Sequence, residues 1–221
     1  MTAFYSSKAK GIEVWDAKGL ISGSVKSFLP FPQVPGDSWR KPFSLIDRLE
    51  ISKDGKFLVA AMKYDHELAP DPRKVYVWDT RSEELVYTID ADTFALSQDG
   101  KTLVTSHHGR DTGRLDVLEN QKSIKMWSLA NGKLIRRVQV PKKHEGIVSL
   151  AVSSDRRFIA YGRKYLGPFF LTPETNGMGM IDLQTGQQAF SEKINAPFLA
   201  FINNDRTLLA GGESIKFFAI Q

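Results

Sequence analysis

Cysteine is absent from all 221 residues, which excludes disulfides, thiolate metal sites, iron–sulfur clusters and cysteine nucleophiles. Long apolar runs are missing too. None approaches the ~20 residues that a membrane-spanning helix needs. The opening Met1-Thr2-Ala3-Phe4-Tyr5-Ser6-Ser7-Lys8 lacks the charged start and apolar stretch of a secretory signal. The expected location is therefore cytoplasmic or nuclear, with no membrane partner. No Gly-x-x-x-x-Gly-Lys-Ser/Thr loop and no Gly-x-Gly-x-x-Gly turn occurs to cradle a phosphate. Histidine is scarce, with His66, His107, His108 and His144 only, and no nucleophile motif accompanies them. His107 and His108 are adjacent, so in extended chain they point to opposite sides and make a poor metal pair. The expectation is a protein that is not an enzyme and holds no cofactor or metal.

What is present is an ordinary globular balance, 42% hydrophobic and 25% charged. The net charge of +5 comes from 30 Lys and Arg against 25 Asp and Glu. That small excess fits a mixed soluble surface, and it also leaves room for acidic proteins or nucleic acid as partners.

Internal repeats organise the chain. A turn followed by an apolar run appears as Ser52-Lys53-Asp54-Gly55-Lys56-Phe57-Leu58-Val59, and again from Ser97, Ser153 and Asn203. The aspartates of the four copies, Asp54, Asp99, Asp155 and Asp205, are 45, 56 and 50 residues apart. A second signal keeps phase with the first: Ile12-Glu13-Val14-Trp15-Asp16, Val75-Tyr76-Val77-Trp78-Asp79 and Ile124-Lys125-Met126-Trp127-Ser128. Weaker copies end at Asp182 and Ala219. Each unit thus reads as four short strands, a to d. Strand a precedes the Asp turn, b follows it, c carries the Trp-Asp signal and d follows the next turn. Asp-Gly between β-rich runs predicts a type I′ hairpin, with positive φ at both central residues. Strands b and c are apolar on both faces and so need a layer on each side. No helical period supplies those layers, so sheets must pack on sheets. Four-stranded sheets packed radially form a β-propeller.

These motifs resemble the WD-repeat propellers, whose units of ~40 to 45 residues carry a Trp-Asp pair on strand c. Trp15-Asp16 and Trp78-Asp79 match outright, Trp127 keeps the Trp and Asp182 the Asp. The resemblance implies a Gly-His pair before strand a, whose His joins a Ser/Thr–Asp–Trp hydrogen-bond network. No Gly-His dipeptide occurs here, so the complete network is not expected in any unit, although His144 stands at the right place in one. The fold class is all-β: a β-propeller of four-stranded antiparallel blades in a single domain over residues 1–221. Phase counting gives three strands, then three complete units near 44–90, 91–140 and 145–192, then three more strands. That makes four to five blades, either incomplete or closed by a partner. Unclosed edges invite homo- or hetero-oligomers.

The b–c connections are long, at residues 62–74, 106–123 and 161–177. The resemblance implies that their face binds partners, and insertions on one face of a repeat protein often mark its binding face. They begin with similar chemistry: Lys63, Tyr64 and His66; His107, His108 and Arg110; Arg163, Lys164 and Tyr165. As equivalent positions these are expected to ring the channel mouth. Arg suits carboxylate or phosphate, and Tyr adds rigid contact area. Solvated charges with local partners such as Asp65 and Asp111 are the plainer alternative. Phe169 and Phe170 form either a docking patch or a tuck against the next blade. The Pro-rich 29–39 segment reads as a seal along an edge. The expected function is a non-catalytic protein-interaction scaffold for an acidic or phosphorylated partner. The alternative is an RNA- or DNA-associated subunit of a ribonucleoprotein or chromatin complex.

Overall fold

The computed structural model describes residues 2–6, 11–15, 27–30, 44–64, 74–107, 123–140, 145–165 and 177–220. Every regular element among them is a β-strand, eighteen in all. The strands form five antiparallel sheets of three, four, four, four and three strands in chain order, the count the repeat phase predicts. They belong to two compact units, residues 1–92 and 93–221.

The first unit holds β1 (Thr2–Ser6), β2 (Gly11–Trp15) and β3 (Ser27–Pro30) in one sheet. Its second sheet is β4 (Ser44–Ile51), β5 (Phe57–Tyr64), β6 (Lys74–Asp79) and β7 (Leu85–Asp90). Ile12 and Val14 of β2 pack with Leu58, Ala60, Tyr76 and Trp78 in one buried cluster. Residues 58–61 and 75–78 are buried without a break, so β5 and β6 are covered on both faces as their composition requires. Tyr76 and Trp78 lie on one face, two residues apart, and stack with ring centroids 5.8 Å apart.

The second unit begins with β8 (Thr93–Leu96), β9 (Thr102–Ser106), β10 (Ser123–Ser128) and β11 (Leu134–Gln139). Next come β12 (Glu145–Val152), β13 (Phe158–Tyr165), β14 (Gly177–Asp182) and β15 (Gln188–Glu192). The last sheet is β16 (Phe198–Ile202), β17 (Thr207–Gly211) and β18 (Ile215–Ala219). Strand β13 alternates between two cores. Ile159 and Tyr161 join Val104, Ile124 and Leu150 on one face. Phe158 and Ala160 join Leu199, Phe201 and Leu208 on the other. The middle sheet is therefore sandwiched between its two neighbours.

The Asp turns repeat one hydrogen-bond device. Ser52 Oγ donates to Asp54 Oδ1 at 2.7 Å and accepts from the Phe57 amide at 2.9 Å, while the Lys56 amide donates to Asp54 Oδ1 at 3.1 Å. Ser97–Asp99 and Ser153–Asp155 repeat it with serine-to-aspartate distances of 2.5 and 2.6 Å. The type I′ expectation is corrected here. Gly55 and Gly100 have positive φ, but Asp54 and Asp99 do not. A right-handed turn capped by its own serine and aspartate needs only one left-handed residue, and Arg156 takes that place in the third copy. The fourth copy lacks the serine, and Asn203, Asn204 and Asp205 all turn left-handed.

The serine-capped aspartates, Asp54, Asp99 and Asp155, are held low. Ser52 and the Lys56 amide hold Asp54 below its ordinary value of 3.8. For Asp99 and Asp155 burial pushes upward, but the serine and amide donors outweigh it. A depressed folded-state value stabilises the fold above the ordinary carboxylate range, and that stability is lost as pH falls through the lowered value. Urea midpoints are expected to hold level from pH 7 to about 5 and to drop below about 4. Ser97→Ala should cost about 1 kcal/mol at pH 7 and less at a pH acid enough to protonate Asp99, below its lowered value. An equal cost at both pH values would show that the hydroxyl acts without the carboxylate.

Candidate functional site

The aspartate of the Trp-Asp motif turns the chain. Asp79 Oδ1 accepts from the amides of Arg81 and Ser82 at 2.7 and 3.1 Å, and Asp182 Oδ1 accepts from Gln184 at 2.7 Å. Within the 93–221 unit, the turns carry further ties between strands and sheets. Arg157 reaches Asp182 Oδ2 at 3.1 Å, and the Ser154 amide reaches Asp205 at 2.8 Å. Arg156 lies 3.6 Å from Asp99, and Arg136 donates to the Leu183 carbonyl. Burial acts to raise the Asp182 carboxyl, yet the Gln184 amide and the Arg157 guanidinium outweigh it and hold it low. These charged groups at the a–b and c–d turns serve the fold.

In each unit, strand b runs from the Asp turn to the far end of its own sheet, where the candidate residues lie. The sequence places Lys63, Tyr64, Arg163, Lys164 and Tyr165 in loops. The structure instead places all five in strands, because β5 and β13 run to Tyr64 and Tyr165. Two long hairpins extend them, and each is bulged at the same place. Opposite β5, Ile46 pairs with Met62 and Arg48 with Ala61, leaving Asp47 extra. Opposite β13, Ile147 pairs with Arg163 and Ser149 with Gly162, leaving Val148 extra. A bulge twists its strand and re-aims what lies beyond it. Beyond each bulge stands the same dipeptide, Lys63-Tyr64 paired with Leu45 and Ser44, and Lys164-Tyr165 paired with Gly146 and Glu145. The bulges escaped the sequence reading, although the identical Lys-Tyr pairs at equal distance from the Asp turns were a usable signal.

Arg163 differs from the expected exposed loop cation. It is 3% exposed and lies flat on its own sheet. A Cβ on the facing Gly177 would come within 2.6 Å of Arg163 Nε, so only glycine leaves room for the guanidinium. Arg163 Nη2 is 3.4 Å from Ser191 Oγ of β15. Two residues earlier, Tyr161 lies over Gly179 in the same way. Alternating Gly177 and Gly179 opposite alternating Tyr161 and Arg163 is the sequence signal for this buried pair, and it went unread. Counted from the Asp turn, His107 holds the position of Arg163 and is half-buried just after β9. His66, His108, Arg110, Phe169 and Phe170 lie outside the described residues, as do His144 and most of the 29–39 segment. One link of the network implied by the WD-repeat resemblance is present: Trp127 Nε1 donates to Thr105 Oγ1 at 2.8 Å.

No family model matches the chain, and no curated protein does. Solved structures do. A chain of a mitotic checkpoint complex aligns with a TM-score of 0.62 and 17% identity, over 95% of this chain and 57% of that one. A chain of Kuenenia stuttgartiensis hydrazine synthase aligns with a TM-score of 0.62 and 13% identity, over 94% of this chain and 51% of that one. The fold is a β-propeller of four-stranded antiparallel blades. This chain spans little more than half the length of either match. One match comes from a checkpoint assembly and the other from an enzyme, so the propeller alone does not decide between binding and catalysis.

Proposed function

We propose that this chain is a non-catalytic, WD-repeat-type interaction scaffold of the cytoplasm or nucleus, and that its strand-b ends grip an acidic or phosphorylated protein segment. The carrying observation is the recurrence of a bulged hairpin that ends in Lys-Tyr, at Lys63-Tyr64 and at Lys164-Tyr165. A lysine supplies a point charge for phosphate or carboxylate, and a tyrosine supplies contact area at low entropic cost. The resemblance to a chain of a checkpoint complex is consistent with a protein partner. Arg163 supports the hairpin from within the sheet and does not touch the ligand.

The test is binding of the whole chain to arrayed acidic and phosphoserine peptides. Lys63→Glu and Lys164→Glu, tested one at a time, should each weaken the ligand of its own hairpin end by about tenfold, roughly 1 to 1.5 kcal/mol, while the thermal midpoint stays put. Unchanged binding would reject the site. Preference for RNA or DNA, with steep loss of affinity as salt rises, would replace this reading with the nucleic-acid one.

A further inference from the structure

Strand c passes to strand d through the same five-residue turn in each of the three four-stranded sheets. The amide of the fifth residue donates to the carbonyl of the first: Glu83 to Asp79 at 2.9 Å, Gly132 to Ser128 at 2.8 Å and Gly186 to Asp182 at 2.8 Å. The fifth residue has positive φ in all three. The turns differ in their caps. Asp79 Oδ1 accepts from the amides of Arg81 and Ser82, and Asp182 Oδ1 from those of Gln184 and Thr185. Ser128 stands where those aspartates stand, because the motif here reads Trp127-Ser128. Among the described residues its hydroxyl caps no amide, and only its backbone closes the turn.

This uncapped turn carries Asn131-Gly132. Asn131 is exposed, and its Oδ1 accepts from the Lys133 amide at 3.0 Å. Asparagine is a labile side chain, and glycine after it leaves the backbone nitrogen unshielded. We propose that Asn131 is a site of spontaneous covalent modification, gated by the opening of this turn. The Gly132 nitrogen loses its proton to solvent base and attacks Asn131 Cγ. The new N–C bond closes a succinimide ring, and the side-chain nitrogen leaves as ammonia after taking up a proton. Water then adds to either ring carbonyl, giving aspartate or isoaspartate. In the closed turn neither group is ready, since the Ser128 carbonyl holds the Gly132 N–H and the Lys133 amide holds the Asn131 side chain. The reaction therefore runs from the open turn, at a rate that follows the open population. Isoaspartate lengthens the main chain inside a turn that the Ser128 amide closes on the Lys133 carbonyl at 2.9 Å. The lengthened turn cannot close in the same register. Strand β11 starts directly after it, at Leu134, and Arg136 of β11 ties this sheet to the Leu183 carbonyl of the next. One slow chemical step at the turn thus loosens the strand and its tie.

The test is ageing of the whole chain in mildly alkaline buffer at physiological temperature, followed by tryptic mapping of residues 126–133. Asn176-Gly177, the other Asn-Gly pair of the sequence, falls in a different peptide and is read separately. Isoaspartate is expected to build up at position 131, more slowly than in a free peptide of residues 126–133. Ser128→Asp copies the two sister turns, so the fold accommodates it. It should slow the conversion about tenfold, because two added amide bonds to a carboxylate shift the opening equilibrium by that factor. Hydrogen exchange at the Gly132 amide should slow with it, and the aged chain should exchange faster along β11 than the fresh one. An Asn131 still intact after many half-lives of the free peptide overturns the proposal. Equal conversion rates in Ser128→Asp and the unaltered chain also overturn it, since the turn would then not be the gate.

Discussion

Gly162→Ala is expected to destabilise the 93–221 unit by about 3 kcal/mol, the upper range for forcing volume into a packed interior. The reason is a single close approach. A methyl on Gly162 would run into the backbone carbonyl of Ala196 and into Ser149 Oγ. Those two groups are themselves bonded, Ser149 Oγ donating to the Ala196 carbonyl at 2.5 Å inside the protein. The backbone carbonyl cannot swing away as the tip of a long side chain would. Relief requires either breaking this bond, which leaves buried polar groups unpaired, or moving the segment around Ala196, which carries part of the apolar core. Gly211→Ala is the control. There the new methyl would meet Phe198 Cβ at 3.5 Å, an ordinary contact, and the expected cost is below about 1 kcal/mol. Urea unfolding of both variants, followed by hydrogen exchange at β13, checks the pair. Equal costs would show that the segment around Ala196 yields freely.

The blades were legible because two periods coincide. Apolar runs at strands b and c demand a cover on both faces, and the Asp turn and Trp-Asp motif mark their ends. Those signals are local, so the three-four-four-four-three strand count could be read before any contact was known. The turn type was misread because the Asp-Gly rule covers isolated hairpins, whereas here Ser52, Ser97 and Ser153 reach back to their own aspartates and select a different turn. The candidate site was half legible. Lysine and tyrosine at the ends of strands b were found, but they were taken for loop residues, since nothing in strand b alone shows how far its partner follows it. That length depends on β4 and β12, whose single extra residues, Asp47 and Val148, keep the pairing going past the core. Arg163 was misplaced for the opposite reason. A charged residue near a strand end reads as exposed unless the glycine across the sheet, Gly177, is considered with it.

Trp78→Ala should cost the 1–92 unit about 4 kcal/mol, the range for deleting a large buried aromatic side chain. A tryptophan can serve either a packed core or a recognition surface, so the experiment separates two roles. Trp78 is 1% exposed, packs with Leu58, Ala60 and Tyr76, and meets Ile12 and Val14 of the neighbouring sheet. Its removal opens a hole that the flanking β-strands, tied by ladders on both sides, cannot collapse to fill. Trp127 occupies the equivalent place in the next unit but is only half-buried, and its indole nitrogen is bonded to Thr105. Trp127→Phe, which keeps most of the ring and loses that bond, should cost about 1 kcal/mol. The ranking is what matters. If Trp78→Ala left stability intact and instead reduced peptide binding, the tryptophan would belong to a recognition surface and the blade core would lie elsewhere. If stability falls as expected while the remaining folded fraction binds normally, the Trp-Asp repeat is a device for stacking sheets. Recognition is then no part of the tryptophan's role.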